Sequence, residues 1–199
     1  MKKTRNILAI ALVLMGWVTL LSFDKAKDWI IAGSHPQSYD MGIDKGAGKE
    51  GNNAATIKST AKKINGFGTL MQICQAKGFH GKRVKMSGLV KTEKVEDWAG
   101  LWLRIDQKDS DEILGFDNMH DGKTDRSIKG TTDWTRYEIV LEVPANAAYL
   151  AYGALLSGKG QVWFDDIRFE EVDPSVPVTG KEPAVNIPRE PVNLDFEGK

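Results

Sequence analysis

Two groups of residues in this chain have side chains and spacings suited to chemistry. The first is Trp98, Trp102 and Arg104, in the stretch DWAGLWLRID. Read with a period of two, Trp98, Gly100, Trp102, Arg104 and Asp106 share one side of a strand, and Ala99, Leu101, Leu103 and Ile105 share the other. The aliphatic set belongs to a core, so the indoles and the guanidinium fall on the opposite side, where two large rings would leave much apolar area uncovered. Such rings stack on the apolar faces of sugars. Asp117, Asn118 and Arg126, in the polar connection that follows, are candidates to orient the hydroxyls. Two alternatives stand beside this reading: a neighbouring loop lies over the rings, and the polar residues pin that loop by local hydrogen bonds. The second group is Asp165 and Asp166, in GQVWFDDIRFEEV. The same period places Asp165 with Gln161, Trp163, Ile167 and Phe169, so its carboxylate is expected to be partly buried and in need of donors or a cation.

Catalytic signatures fail in context. GALLSGK continues with Gly160 where a phosphate-binding loop needs Ser or Thr, and it joins strand to strand instead of strand to helix. Ser59-Thr60-Ala61-Lys62 lacks the companion motifs of a serine acyl-enzyme. His35, His80 and His120 stand singly, without metal-ligand spacing. The acidic run from Asp106 to Glu112 lacks the glycine and glutamate positions of an EF-hand and reads as a solvated hairpin tip. Cys74 is the only cysteine; it lies in an apolar run and reads as a buried, inert thiol. The expectation is a protein that binds and is not an enzyme.

The elements that must position these residues read as short strands separated by turns: Tyr39 to Asp44, Ala54 to Ser59, Gly68 to Ala76, Lys82 to Thr92, Ala99 to Asp106, Ile113 to Asp117, Thr135 to Val143, Ala147 to Leu156 and Gln161 to Val172. A short helical turn is expected at Thr60 to Ile64. In Arg136 to Val143, Tyr137, Ile139, Leu141 and Val143 face a core while Arg136, Glu138 and Glu142 face water. The pattern predicts an all-β fold, a β-sandwich of two antiparallel sheets over residues 28–172, with the last strand near its middle.

Trp134 to Glu170 resembles the C-terminal half of galactose-binding-like jelly rolls, a group that includes many carbohydrate-binding modules. The shared features are DWTRYEIVLEV, the small-residue strand AAYLAYGALLSG and the closing VWFDDIRFE, with KRVKMSGLVKTE and WAGLWLRID resembling the strand pair before them. The resemblance runs from Trp29 to Val172 and implies a jelly roll. It also implies that Asp165 and Asp166 can help hold a structural calcium ion, with Asp40, Asp44 and Glu50 as loop partners; hydrogen bonding without metal is the alternative, since no loop has calcium-ligand spacing. In one respect the chain departs from the group: the N-x-x-F-E strand expected ahead of DWIIAGS is absent there, and NLDFEG stands at the far C-terminus. The resemblance therefore implies that Asn193 to Glu197 supplies a missing strand, to its own sheet or, strand-swapped, to a neighbour's.

Composition bounds the rest. With 199 residues, Lys+Arg 27 and Asp+Glu 27, the chain is one domain plus appendages with no net charge, which argues against nucleic acid as a partner. Lys2, Lys3 and Arg5 precede an uncharged run from Ile7 to Phe23, the pattern of a signal peptide or membrane anchor over 1–27. The body is accordingly expected outside the cytoplasm, whether periplasmic, extracellular or tethered facing outward. Residues 173–199 hold five prolines and read as an extended tail. The resulting expectation is an exported module contacting carbohydrate through Trp98, Trp102 and Arg104. The alternatives are a tethered domain that meets another protein and a ligand-sensing accessory of a regulatory system.

Overall fold

The structure is a computed structural model that describes residues 22–109 and 112–180. Among the described residues nine strands form: β1 (Ile30–Ala32), β2 (Tyr39–Asp44), β3 (Ala54–Ser59), β4 (Phe67–Gln75), β5 (Lys82–Gln107), β6 (Ile113–Asp117), β7 (Ile128–Val143), β8 (Ala147–Ser157) and β9 (Gln161–Val172). All pairings are antiparallel, in the order β1-β4-β8-β5-β9-β3-β2, with β6 and β7 added along β5. β1 has no counterpart among the expected strands, and the two strands expected at Lys82–Thr92 and Ala99–Asp106 are one continuous element. Thr60 to Ile64 is a bend and not a helical turn; short 3-10 turns occur instead at Pro36–Ser38, Lys49–Gly51 and Ala76–Phe79. The apolar run Ile7 to Leu21 and the tail beyond Gly180, with Asn193 to Glu197, lie outside the described residues.

β5 makes this continuous ladder a two-layer sandwich. Its first half pairs with β7 and β9, as in Leu89 with Arg136 and Asp165. Its second half pairs with β8, from Trp98 with Ser157 to Gln107 with Ala147, and with β6. One layer is therefore β7-β5-β9-β3-β2 and the other β6-β5-β8-β4-β1. Val84, Met86 and Val90 from the first half and Ala99, Leu101, Leu103 and Ile105 from the second are each 0% exposed, and they meet Val162 and Phe164 of β9 in the space between. Trp29 closes part of this core edge-to-face on Phe164, with centroids 5.4 Å apart.

The crossing is fastened by the glycine turn between β8 and β9. Lys159 carbonyl accepts from Glu96 N at 2.9 Å, and Ser157 Oγ donates to Asp97 at 2.5 Å. Tyr39 Oη donates to the carbonyls of Gly66 and Gly158 at 3.0 and 3.1 Å, and burial pushes its phenol up to about 12. Gly160 has φ of 127°, and a Cβ there would stand 2.7 Å from Val95 Cα, so both backbone conformation and space demand glycine.

The open side between β6 and β7 is covered by residues 173–180. Thr179 N donates to Val140 O at 2.9 Å, and Thr179 O accepts from Lys123 N at 2.9 Å. Gly180 is buried where a Cβ would meet Leu141 Cδ2 at 2.5 Å and the Phe116 carbonyl at 2.7 Å. Gly160→Ala is expected to cost about 2 kcal/mol and lower Tm by roughly 4 to 8 °C in a thermal unfolding scan, the cost of left-handed strain in a chain of this size.

Candidate functional site

The tryptophan stripe forms as the period of two requires, but it is not an open groove. Trp102 is 8% exposed, packs with Ala151, Leu155 and Met71, and donates Nε1–H to Thr69 Oγ1 at 2.8 Å. Gly100, between the two tryptophans, lies under the connection after β6: a Cβ there would meet Asn118 O at 3.2 Å and Met119 Cβ at 3.3 Å. Trp98 is half-buried and stacked on His120, with centroids 4.8 Å apart and planes 24° apart. The expectation of freely presented rings is thus corrected. Residues 118–120 roof the stripe, because a bare glycine between two indoles leaves a slot that a buried methionine fills.

The polar candidates hold that roof in place. Asp117 is fully buried, pairs with Arg126 and accepts from Met119 N at 2.8 Å. Asn118 Oδ1 accepts from His120 N at 3.0 Å and from Asp121 N at 2.6 Å. Arg126 also donates to Glu138 O at 2.6 Å, and Arg104 forms a two-point pair with Asp106 at about 3 Å. Cys74 is half-buried against the core, and burial raises its thiol pKa, which keeps it unreactive.

The acidic pair lies elsewhere. Between Ser87 and Leu89 the register of β5 on β9 slips: Ser87 faces Arg168 and Leu89 faces Asp165. Asp166, at φ of 51°, is the residue of the bulge. The bulge reverses the phase of β9, so Val162 and Phe164 point inward before it, and Ile167 and Phe169 after it. Asp165 therefore does not share a face with Ile167 and Phe169, as a strict period of two predicts, and it stands on the outer face with Trp163. Trp163, in turn, donates Nε1–H to Asp44 at 2.7 Å and lies under Lys91, 5.4 Å from its ring centroid.

That outer face carries a hollow of about 860 Å³ open to solvent. Its floor is the row Arg136, Leu89 and Asp165 across β7, β5 and β9, flanked by Asp166, Arg168 and the indole of Trp134. Its far wall is the turn after β2, with Lys49, Glu50, Asn52 and Asn53 exposed. Asp166 is clamped by Arg136 and by Arg168, whose Nε donates at 2.9 Å. Arg168 first, and Arg136 against the opposing effect of burial, hold the Asp166 carboxyl below its ordinary value of 3.8. Arg136 also donates to Ser87 Oγ at 3.1 Å, so its guanidinium is fixed along the floor.

These residues do not fit a calcium ion. Both Asp166 oxygens already accept from guanidinium groups, Asp165 Oδ1 accepts from Asp166 N at 2.7 Å, and Asp44 is engaged by Trp163. Among the described residues no three of His, Cys, Asp and Glu are placed to hold a metal ion. What the hollow offers is an indole face, side-chain amides, two guanidinium groups and two carboxylates, the mixture that binds a polyhydroxylated ligand with one apolar face. An Asp166 held ionised is unsuited to be a general acid. Sequence reasoning placed Glu50 beside the acidic pair but did not name Trp134, Arg136, Arg168, Asn52 or Asn53 as binding residues; the alternation of Trp134 with Arg136 was the available signal.

No known family model matches the chain. It is 45% identical over 174 residues to the uncharacterized HTH-type transcriptional regulator YbfP of Bacillus subtilis, a match covering 87% of this chain and 57% of that protein. The chain thus spans little more than half of this relative. A second match, to the tRNA nuclease WapA of Bacillus subtilis, is 28% identical over 91 residues, 43% of this chain and 4% of the nuclease. Among solved structures, the CBM22-1 xylan-binding domain of Paenibacillus barcinonensis Xyn10C superposes with a TM-score of 0.51 over 76% of this chain and 91% of that one, at 12% identity. The fold is the jelly roll of carbohydrate-binding modules. The enzymatically active domain of bacteriophage CBA120 tailspike protein 4 shares it, with a TM-score of 0.54 over 73% of this chain and 20% of that one, at 9% identity.

Two measurements separate framework from site. Trp102→Phe is expected to lower stability by about 1 kcal/mol in urea unfolding, through loss of the bond to Thr69. Because the Asp166 pKa is depressed in the fold, its stabilisation is complete above the ordinary carboxylate value and is lost as pH falls through the depressed one. Asp166→Asn should therefore lower Tm at pH 7 and show a smaller further fall between pH 5 and pH 2 than the wild type.

Proposed function

We propose that this domain is a non-catalytic carbohydrate-binding module whose ligand occupies the hollow between Trp134 and the turn at 49–53. The observation that carries the reading is the placement of one half-buried indole beside two fixed guanidinium groups and two exposed asparagines in an open hollow. The indole takes an apolar sugar face, Arg168, Asn52 and Asn53 take hydroxyls, and Asp165 accepts from them. The jelly-roll fold supports the binding class and leaves the sugar to be read from the site. The basic start of the chain and its apolar run support a place outside the cytoplasm, by release or by tethering.

A second reading draws on the 45% identity to a transcriptional regulator. There the same binding event would serve as the sensed signal of a regulatory system, with the hollow unchanged in role.

Affinity electrophoresis through gels containing soluble plant and bacterial polysaccharides tests the site. Retardation is expected on at least one glycan, falling tenfold or more in affinity for Trp134→Ala, a loss of about 1.4 kcal/mol or more, while Trp102→Phe is retarded like the wild type. Retardation that survives Trp134→Ala but disappears with Trp98→Ala would move the site to the other layer and overturn the assignment.

A further inference from the structure

The layer that bears the hollow carries a second one further along the same strand. It has a volume of about 400 Å³, opens to solvent, and is lined by Lys58, Glu93, Lys94, Lys159 and Gln161 among others. Register places both hollows on one surface. Val90, Val162 and Phe164 turn into the core, so Leu89, Lys91 and Glu93 of β5 and Gln161, Trp163 and Asp165 of β9 turn outward. Three cross-strand rows result: Leu89 with Asp165 in the first hollow, Lys91 with Trp163 between the two, and Glu93 with Gln161 and Lys58 in the second. Asp165 and Gln161 are four residues apart on β9, about 13 Å in an extended strand. That gap is wider than a single sugar ring, so one ligand reaching both hollows must be a chain lying along β9.

The charges on this path choose the character of the chain. Lys91 stands over the Trp163 ring, 5.4 Å from its centroid, and neither Lys91 nor Lys58 forms an ion pair among the described residues. The acids beside them are engaged: Glu93 with Lys94 at 3.3 Å, Glu96 with Lys159 at 3.8 Å, Asp44 with Trp163 at 2.7 Å, and Asp166 with two arginines. Asp40 and Glu50 border the path, on β2 and on the far wall. The floor of the second hollow is held by Gln161, which donates Nε2–H to Thr56 Oγ1 at 3.0 Å, and by Thr56, which donates to Val162 O at 3.0 Å. Two ammonium groups without carboxylates, one of them fixed by an indole, suit a ligand that brings carboxylates of its own.

We infer that the ligand is a linear acidic polysaccharide, bound along its length from Trp134 over Lys91 to Lys58, with its carboxylates on the two lysines. This rests on the sugar site proposed in the first hollow and adds to it a second subsite and a charge class. Calorimetric titration of the full chain in detergent micelles tests it. The probes are a hexamer of galacturonic acid, galacturonic acid itself, and the same hexamer with its carboxyl groups reduced to alcohols. The acidic hexamer is expected to bind about tenfold or more tightly than either control, and more weakly as salt rises. The double variant Lys58→Gln, Lys91→Gln should lose about tenfold in affinity for it with an unchanged Tm, and Trp134→Ala should weaken it as well. Where Trp134→Ala weakens the hexamer but the lysine variant does not, or either control binds as tightly, the first hollow stands as a sugar site and this inference falls. A hexamer that does not bind also overturns the inference, and the retardation of neutral glycans then judges the hollow alone. Weakening by the lysine variant without weakening by Trp134→Ala overturns both readings.

Discussion

The passage of β5 from one layer to the other is the constraint on which the rest depends. A single strand stands second in both layers, so both inner faces are registered against each other by one covalent chain. The turn at 157–160 holds the crossing by contacts a side chain would not permit. Because β8 and β9 leave that turn on opposite layers, the pairing of each with its half of β5 is fixed by the same few residues. The core is then filled by alternating residues of β5 and β9, whose complete burial leaves no freedom to slip a register by one.

Against this frame, the bulge at Asp166 has a local cause and a distant effect. It arises where β9 must continue along β5 with one residue too many, and it turns Asp165 and Asp166 outward. There they meet Arg136 of β7 and Arg168 of β9, and the resulting ion cluster fixes the floor of the hollow. A carboxylate that periodicity assigns to a core thus becomes part of a surface site. The two layers also diverge in character. The layer bearing the hollow is ionic on its outer face, and the layer bearing Trp98 and Trp102 is apolar and partly roofed.

The sandwich, most strand positions and the inward set Ala99, Leu101, Leu103 and Ile105 were legible because alternation is a local consequence of the extended backbone. The candidate site was legible only in kind. The combination of indole and arginine was read on Trp98, Trp102 and Arg104; the structure also brings Trp134 together with Arg136 and Arg168 around the hollow. Whether an outward indole is free depends on what a distant connection lies upon, and the Gly100 slot beneath Met119 decided that for the first pair.

The amino-acid order by itself determined which residues alternate, where turns interrupt them, that basic and acidic side chains balance, and that one cysteine forgoes any disulfide within the chain. These are properties of composition and of neighbours along the backbone. Only the tertiary structure decided which of two outward tryptophan faces stays open, that Asp166 belongs to two arginines, and that β1 stands last among the described strands of the second layer with its isoleucines exposed. Each of those outcomes joins segments far apart in sequence, and the energy of burial or ion pairing that settles them exists only once the layers have met.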